Sequence, residues 1–244
     1  MAADGHGCAI VPPMRVLQTL SLTCLVLASA ALPATAQAPA AGTRQTATTG
    51  TRPPRPVLGG QDWVQLFNGK DLTGWVNVGQ EKWTVENGEL HGVAVTKGYG
   101  YLKTEKNYKD FVLSMHFKCE GDGNSGVFFH SDFKPGTADV SQGLQFEVDC
   151  GMMKHTGGLY GDGRNWIVWP APENESVVRR GEWNEYVLQV VGNRYISRLN
   201  GVVLVDFTDP SPKSFDGAIS LQLHSGGTGD MKFREIWLRD LTQR

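Results

Sequence analysis

The chain has 244 residues, with 23 Lys plus Arg against 25 Asp plus Glu and a formal net charge of −2. That near balance leaves no basic footprint, which argues against a nucleic-acid partner. The 30 glycines and 12 prolines fit a turn-rich fold.

The first quarter does not read as fold. Arg15, an apolar run over residues 20–31 and Ala34-Thr35-Ala36 follow the positive, hydrophobic and small-residue order of a secretory signal peptide, so residues 1–36 are assigned to it. Met14 is the more natural start, since it places the basic segment directly before the apolar run. The run is too short to remain as a stable membrane span, and the expected destination is secreted or periplasmic. Residues 37–60 are Ala, Thr, Pro, Arg and Gly with hardly a large apolar side chain, and are read as a disordered linker. Residues 61–244 then form one domain.

From residue 61 on, nearly every segment reads as strand, turn, strand. Asn68-Gly69, Asn87-Gly88 and Asn200-Gly201 lie between alternating apolar runs, and this dipeptide supplies the positive φ angles of tight hairpins. The spacing predicts hairpins around the last two. Further strands are expected at 111–119, 125–131, 145–149, 186–191, 218–224 and 231–241. No long stretch carries a helical apolar period. About a dozen short strands without βαβ alternation predict an all-β fold of two antiparallel sheets packed face to face.

Successive strand side chains point to opposite faces. In 144–150, Leu144, Phe146, Val148 and Cys150 therefore face the core, and Gln145, Glu147 and Asp149 face away. Two acids at consecutive same-face positions repel each other, which marks the face as a candidate site. Other strands offer similar polar faces: Ser114, His116 and Lys118; Asn124 and His130; Ser220, Gln222 and His224. If these strands are neighbours in one sheet, they line a single concave surface. The loop 157–172 adds Tyr160, Arg164, Trp166 and Trp169 among glycines, a composition suited to stacking on a sugar ring. Cys119 and Cys150 fall on core faces by the same parity, as two buried thiols or as a disulfide.

Gly123-Asn124-Ser125-Gly126-Val127-Phe128-Phe129-His130, the stretch 143–149, Thr156-Gly157-Gly158-Leu159-Tyr160, Gly181-Glu182-Trp183-Asn184 and Leu221-Gln222-Leu223-His224 together resemble the 3-keto-disaccharide hydrolase domain family. The opening Leu66-Phe67-Asn68-Gly69-Lys70 and the ending Phe233-Arg234-Glu235-Ile236 fit it too. The resemblance implies a concanavalin-A-like jelly-roll β-sandwich, export, and cleavage of sugars already oxidised at C3 by a separate oxidoreductase. One departure is His130, where many such proteins carry Arg.

A ketone at C3 makes the C2 proton acidic, so a base can remove it and expel the glycosidic oxygen from C1, after which water adds back. Such a site needs a base, a group to hold enolate charge and an acid. Glu147 or His224 is the expected base, with Asp149 and His130 as acid or ligands. Lys118, Asn124, Gln145, Gln222, Tyr160, Arg164, Trp166 and His116 are the expected substrate-binding groups. A divalent cation held by Glu147, Asp149 and His224 would supply Lewis-acid help; in a metal-free site Lys118 or His116 would carry the positive charge. The alternative is a non-catalytic carbohydrate-binding module, since the same sandwich is a lectin fold.

Overall fold

The computed structural model describes residues 43–44, 62–151 and 155–242 of the chain. The leader expected at 1–36 lies outside them, as does the linker apart from one two-residue strand. The elements begin with β1 (Thr43–Arg44), β2 (Val64–Gln65), β3 (Trp75–Val78), β4 (Lys82–Glu86), β5 (Glu89–Val93) and β6 (Gly100–Tyr108). They continue with β7 (Phe111–Cys119), β8 (Asn124–Phe133), β9 (Val140–Asp149), β10 (Leu159–Gly161), β11 (Trp166–Trp169) and the single turn α1 (Pro172–Glu175). The chain ends in β12 (Asn184–Val191), β13 (Arg194–Leu199), β14 (Val202–Thr208), β15 (Gly217–Leu223) and β16 (Asp230–Asp240).

Two sheets result. One has the order β1-β11-β10-β9-β8-β15-β6-β3, the other β14-β13-β12-β7-β16-β5-β4 with β2 on β16. Pairing is antiparallel throughout except between β1 and β11. This is the expected jelly-roll sandwich. Its core is the set of inward parities read from the sequence: Phe111, Leu113, Met115 and Phe117 from β7 meet Leu144, Phe146 and Val148 from β9 and Ile219, Leu221 and Leu223 from β15. Among the described residues, no helix is long and apolar enough to cross a membrane.

Turn chemistry fixes the hairpins. Asn87 and Gly88 have φ of 53° and 79°, and Asn200 and Gly201 have 49° and 85°, the paired left-handed conformations of a two-residue hairpin turn. Asn68-Gly69 behaves differently. Asn68 Oδ1 accepts from the backbone N–H groups of Lys70 and Asp71, so the dipeptide closes a loop on itself.

Cys119 and Cys150 form a disulfide with Cα atoms 5.7 Å apart, which ties the end of β7 in one sheet to the end of β9 in the other. Of the two states open from the sequence, the bonded one is present.

Candidate active site

The site grows out of the outer face of the first sheet. Register places Tyr101, Gln222, Gly126 and Glu147 in one row across β6, β15, β8 and β9. Directly opposed residues in antiparallel strands share a face, so their side chains emerge together. Gly126 is required there: a Cβ at this position would lie 2.3 Å from Gln145 Nε2, so its missing side chain is the space that Gln145 fills. At the end of the sheet the backbone N–H of His224 donates to the carbonyl of Asn124, which sits opposite Asp149, giving a second row.

These rows open into a pocket of about 820 Å³ lined by Glu147, Gln145, Asn124, Gln222, His224, Tyr99, Tyr101, Tyr160 and Trp166 among others. Glu147 is its buried carboxylate, 4% exposed. The Asn124 amide donates to one oxygen, and Gln145 Nε2 donates to the other at 2.8 Å. A carboxylate offers about four lone-pair sites, so the two amides orient it and leave acceptor capacity towards the pocket. Its backbone is clamped as well. Gly157 N–H and the Tyr186 hydroxyl donate to its carbonyl at 2.9 and 3.2 Å, and its own N–H donates to Gly158 O.

His224 is half-buried. Its Nδ1 lies 3.0 Å from the carbonyl of Ser225, which only accepts, so Nδ1 carries the proton in the neutral ring. Nε2 is then the acceptor and faces the Tyr99 hydroxyl at 3.3 Å, with the rings edge to face at 4.8 Å. The strap that carries Tyr99 is held from below by Glu81, 1% exposed, which accepts from Val95 N–H and from the N–H and hydroxyl of Thr96. Burial pushes the Glu81 carboxyl up, but those donors outweigh it and hold the group below its ordinary value.

Tyr101 forms the inner wall. Burial pushes its hydroxyl up to about 12, so it stays protonated. Its oxygen accepts from Gln222 Nε2 at 3.3 Å, which leaves its own proton free to donate. Gln222 lines the pocket, and its Oε1 is buried with no hydrogen-bond partner among the described residues. Opposite, Trp166 stands edge-on to Tyr160 at 5.5 Å. The other tryptophan of this loop, Trp169, stacks on His155 at 5.2 Å and packs the loop down.

The structure therefore brings together Glu147, His224, Asn124, Gln145, Gln222, Tyr160 and Trp166 of the residues named from the sequence. It does not bring in the others. His116 and Lys118 lie on β7, in the opposite sheet, where they pair with Glu235 at 3.0 Å and Glu120 at 2.8 Å. Parity gives the face of a strand but not the sheet it joins. His130 is 1% exposed at a break in β8 register, with a φ of 49° that turns it out of the alternation. Its ring nitrogens meet the carbonyls of Lys109 at 2.7 Å and Ser214 at 3.1 Å, so it ties loops and does not reach the pocket. Asp149 shares the face of Glu147 but does not line the pocket; its Oδ1 accepts from Gly151 N–H at 2.8 Å, capping the end of the strand.

The ligand set expected for a divalent cation does not form: among the described residues no three His, Cys, Asp or Glu side chains converge. Asp149 is turned to its strand end, so the three side chains do not converge on one cation. Tyr99 and Tyr101 were missed because the strand over residues 100–108 was not read; the Tyr-x-Tyr spacing at 99 and 101 was the available signal.

Arg164 is also elsewhere. It makes a two-pronged pair with Asp209, at 2.9 and 2.7 Å, and Asp209 is fully buried. Burial pushes the Asp209 carboxyl up, yet the bonds from Arg164 and Ser211 hold it below its ordinary value. Arg164→Lys keeps the charge but loses the fork, and the expected cost is about 1.5–3 kcal/mol of stability in denaturant unfolding, with KM unmoved. A raised KM at unchanged stability would return Arg164 to the substrate.

Residues 62–239 match the family described as 3-keto-alpha-glucoside-1,2-lyase-like domain. The chain belongs to this family. A 77-residue segment is 34% identical to a 3-keto-disaccharide hydrolase of Bacteroides thetaiotaomicron; it covers 28% of this chain and 27% of that protein, so the match spans about a quarter of the relative's length. Among solved structures, a candidate glycosyl hydrolase from Parabacteroides distasonis superposes with a TM-score of 0.58 at 24% identity, covering 74% of this chain and 94% of the other. The carbohydrate binding module CBM66 from Bacillus subtilis superposes at 0.52 with 16% identity, covering 68% and 96%. At these identities the two structures speak for the sandwich alone.

Proposed function

We propose that this member of the lyase-like family cleaves 3-keto-glycosides by elimination and hydration. The observation that carries the reading is the buried Glu147 carboxylate, held by two amides and facing a pocket that also presents the Tyr99–His224 pair. Glu147 takes the C2 proton. The C2–H electrons form the enolate, whose oxygen at C3 accepts from the Tyr101 hydroxyl. Collapse of the enolate forms the C1–C2 double bond and breaks the bond from C1 to the glycosidic oxygen, which takes the proton of the Tyr99 hydroxyl as that hydroxyl turns from Nε2 of His224 to the leaving oxygen. In the second half water adds to C1 and returns a proton to Tyr99, while Glu147 returns one to C2. The sum is one water consumed and one glycosidic bond cut.

Family membership supports the C3-oxidised substrate, which a separate sugar oxidoreductase would supply. The Cys119–Cys150 bond fits an oxidising compartment, in keeping with export. Turnover of a 3-keto-glucoside in D₂O tests the mechanism. The product ketose should carry deuterium at C2 from the first turnover, faster than free ketose exchanges. Because the buried Glu147 can return the proton it took, protium retained at C2 means direct displacement only where a substrate deuterated at C2 also shows no primary isotope effect on cleavage, and binding without cleavage would mean a carbohydrate-binding module.

A further inference from the structure

A second hollow of about 750 Å³ adjoins the first, and Tyr99, Lys134 and Ala138 line both. The first is already at the upper end of what one small ligand fills, about 300–1,000 Å³. Beneath the two runs a small apolar cluster of Tyr101, Phe128 and Phe133, separate from the sandwich core and lying on the outer face of the sheet. Tyr101 meets Phe128 at 5.5 Å under the first hollow and Phe133 at 4.8 Å under the second. Val78, Ala138 and Val140 pack against these rings, and Phe128 and Ala138 line the first hollow as Phe133, Val78 and Ala138 line the second, which gives both an apolar lining suited to the flat face of a sugar ring.

The walls of the second hollow carry Asn77, Gln80, Lys103 and Asp132, the donors and acceptors that sugar hydroxyls match. Lys103 follows Tyr101 on the same face of β6, is half-buried, and makes no ion pair among the described residues. Close approach is built in at Gly79, whose φ is 98° and where a Cβ would sit 2.7 Å from the carbonyl of Tyr99. Tyr99 stands on the seam between the hollows, 42% exposed, with its hydroxyl on His224.

We propose that the second hollow is the leaving-group subsite, which takes a second glycosyl ring. This rests on the elimination reading, because that reading puts the proton donor where the glycosidic oxygen lies, and here the donor stands between two rooms. The keto sugar occupies the room with Glu147, the glycosidic oxygen crosses at Tyr99, and the departing sugar lies over Phe133. A substrate with a minimal aglycone leaves the second room empty.

The test compares a 3-keto-disaccharide with methyl 3-keto-glucoside on the full chain and on Gly98→Trp. Gly98 lines the second hollow and not the first, and a Cβ there would meet nothing closer than Thr96 Oγ1 at 3.4 Å. The bulky ring should lower the ratio of kcat/KM for the disaccharide over the methyl glycoside by about tenfold or more. Lys103→Ala, which adds no bulk, should lower the same ratio a few-fold through KM, and it carries the test if Gly98→Trp does not fold. An unchanged ratio in the folded variants overturns the proposal. If the unaltered protein turns over neither substrate, the elimination reading fails by itself, and calorimetric Kd values for the same two sugars decide the subsite. Tighter disaccharide binding that is lost in Gly98→Trp upholds it; equal Kd values overturn it.

Discussion

Glu147→Gln is expected to lower kcat on a 3-keto-glucoside by about 10²–10⁴-fold, the range that a positioned general base contributes. The replacement is nearly isosteric, so the pocket keeps its shape and substrate Kd should move only a few-fold. The proton acceptor is what disappears. There is a structural cost too: Asn124 and Gln145 both donate to the carboxylate, and an amide at 147 sets one NH₂ against another. Unless Asn124 turns its oxygen inward, one buried donor is left unsatisfied, at about 1–3 kcal/mol. Unfolding and kinetics must therefore be read together. A variant that has lost stability but keeps kcat within tenfold would remove Glu147 from the chemistry and leave it a strut. Substrate binding that survives while turnover vanishes is the pattern of a base.

The sequence made the face of Glu147 legible because residues 144–149 of β9 alternate without a break and the inward Leu144, Phe146 and Val148 are all large and apolar. The same rule worked for Gln222 on β15 and for His224 directly after it. It failed on β7 for a different reason: alternation is a property of one strand, whereas the neighbour of a strand is set by long-range pairing. His116 and Lys118 thus had the right parity on the wrong sheet. His130 failed by a local irregularity, since a register break and a positive φ at one residue cancel parity beyond it. Tyr99 and Tyr101 were hidden by composition. The strand that holds Tyr101 and follows Tyr99, Gly100–Tyr108, carries Lys, Thr, Glu, Lys and Asn and shows little apolar alternation, because half of it lies beyond the core. What organises it is pairing with β15 and β3, which no local window contains.

The two amides on Glu147 also separate this site from a pair of catalytic carboxylates. In such pairs a second acid stands on the same face and the two divide the roles of acid and base. Here the same-face acid, Asp149, is spent on the strand end, and the position before Glu147 on that face is Gln145, which donates to it. The proton source proposed above lies across the pocket, where Tyr99 and His224 stand. Elimination suits this division: it asks for one base and one acid on different parts of the sugar, not for two acids flanking C1.

Replacing both Cys119 and Cys150 with Ala is expected to cost about 3–4 kcal/mol, because the bond closes a loop across a sequence separation of 31 residues and so restricts the unfolded chain. For a domain of this size that is a fall in Tm of about 6–16 °C, read by thermal unfolding of the double variant against the oxidised protein. Activity at 25 °C should stay within a few-fold, since Glu147 is held by its own bonds to Gly157, Gly158 and Tyr186 and not through Cys150. The disulfide joins the two sheets just past the strand that bears the base, so two outcomes separate its roles. A large fall in Tm with kcat preserved assigns it to the unfolded state. A kcat that drops while Tm holds would mean that the end of β9 needs the bond to aim Glu147, and that the amide and tyrosine contacts are too weak to do so alone.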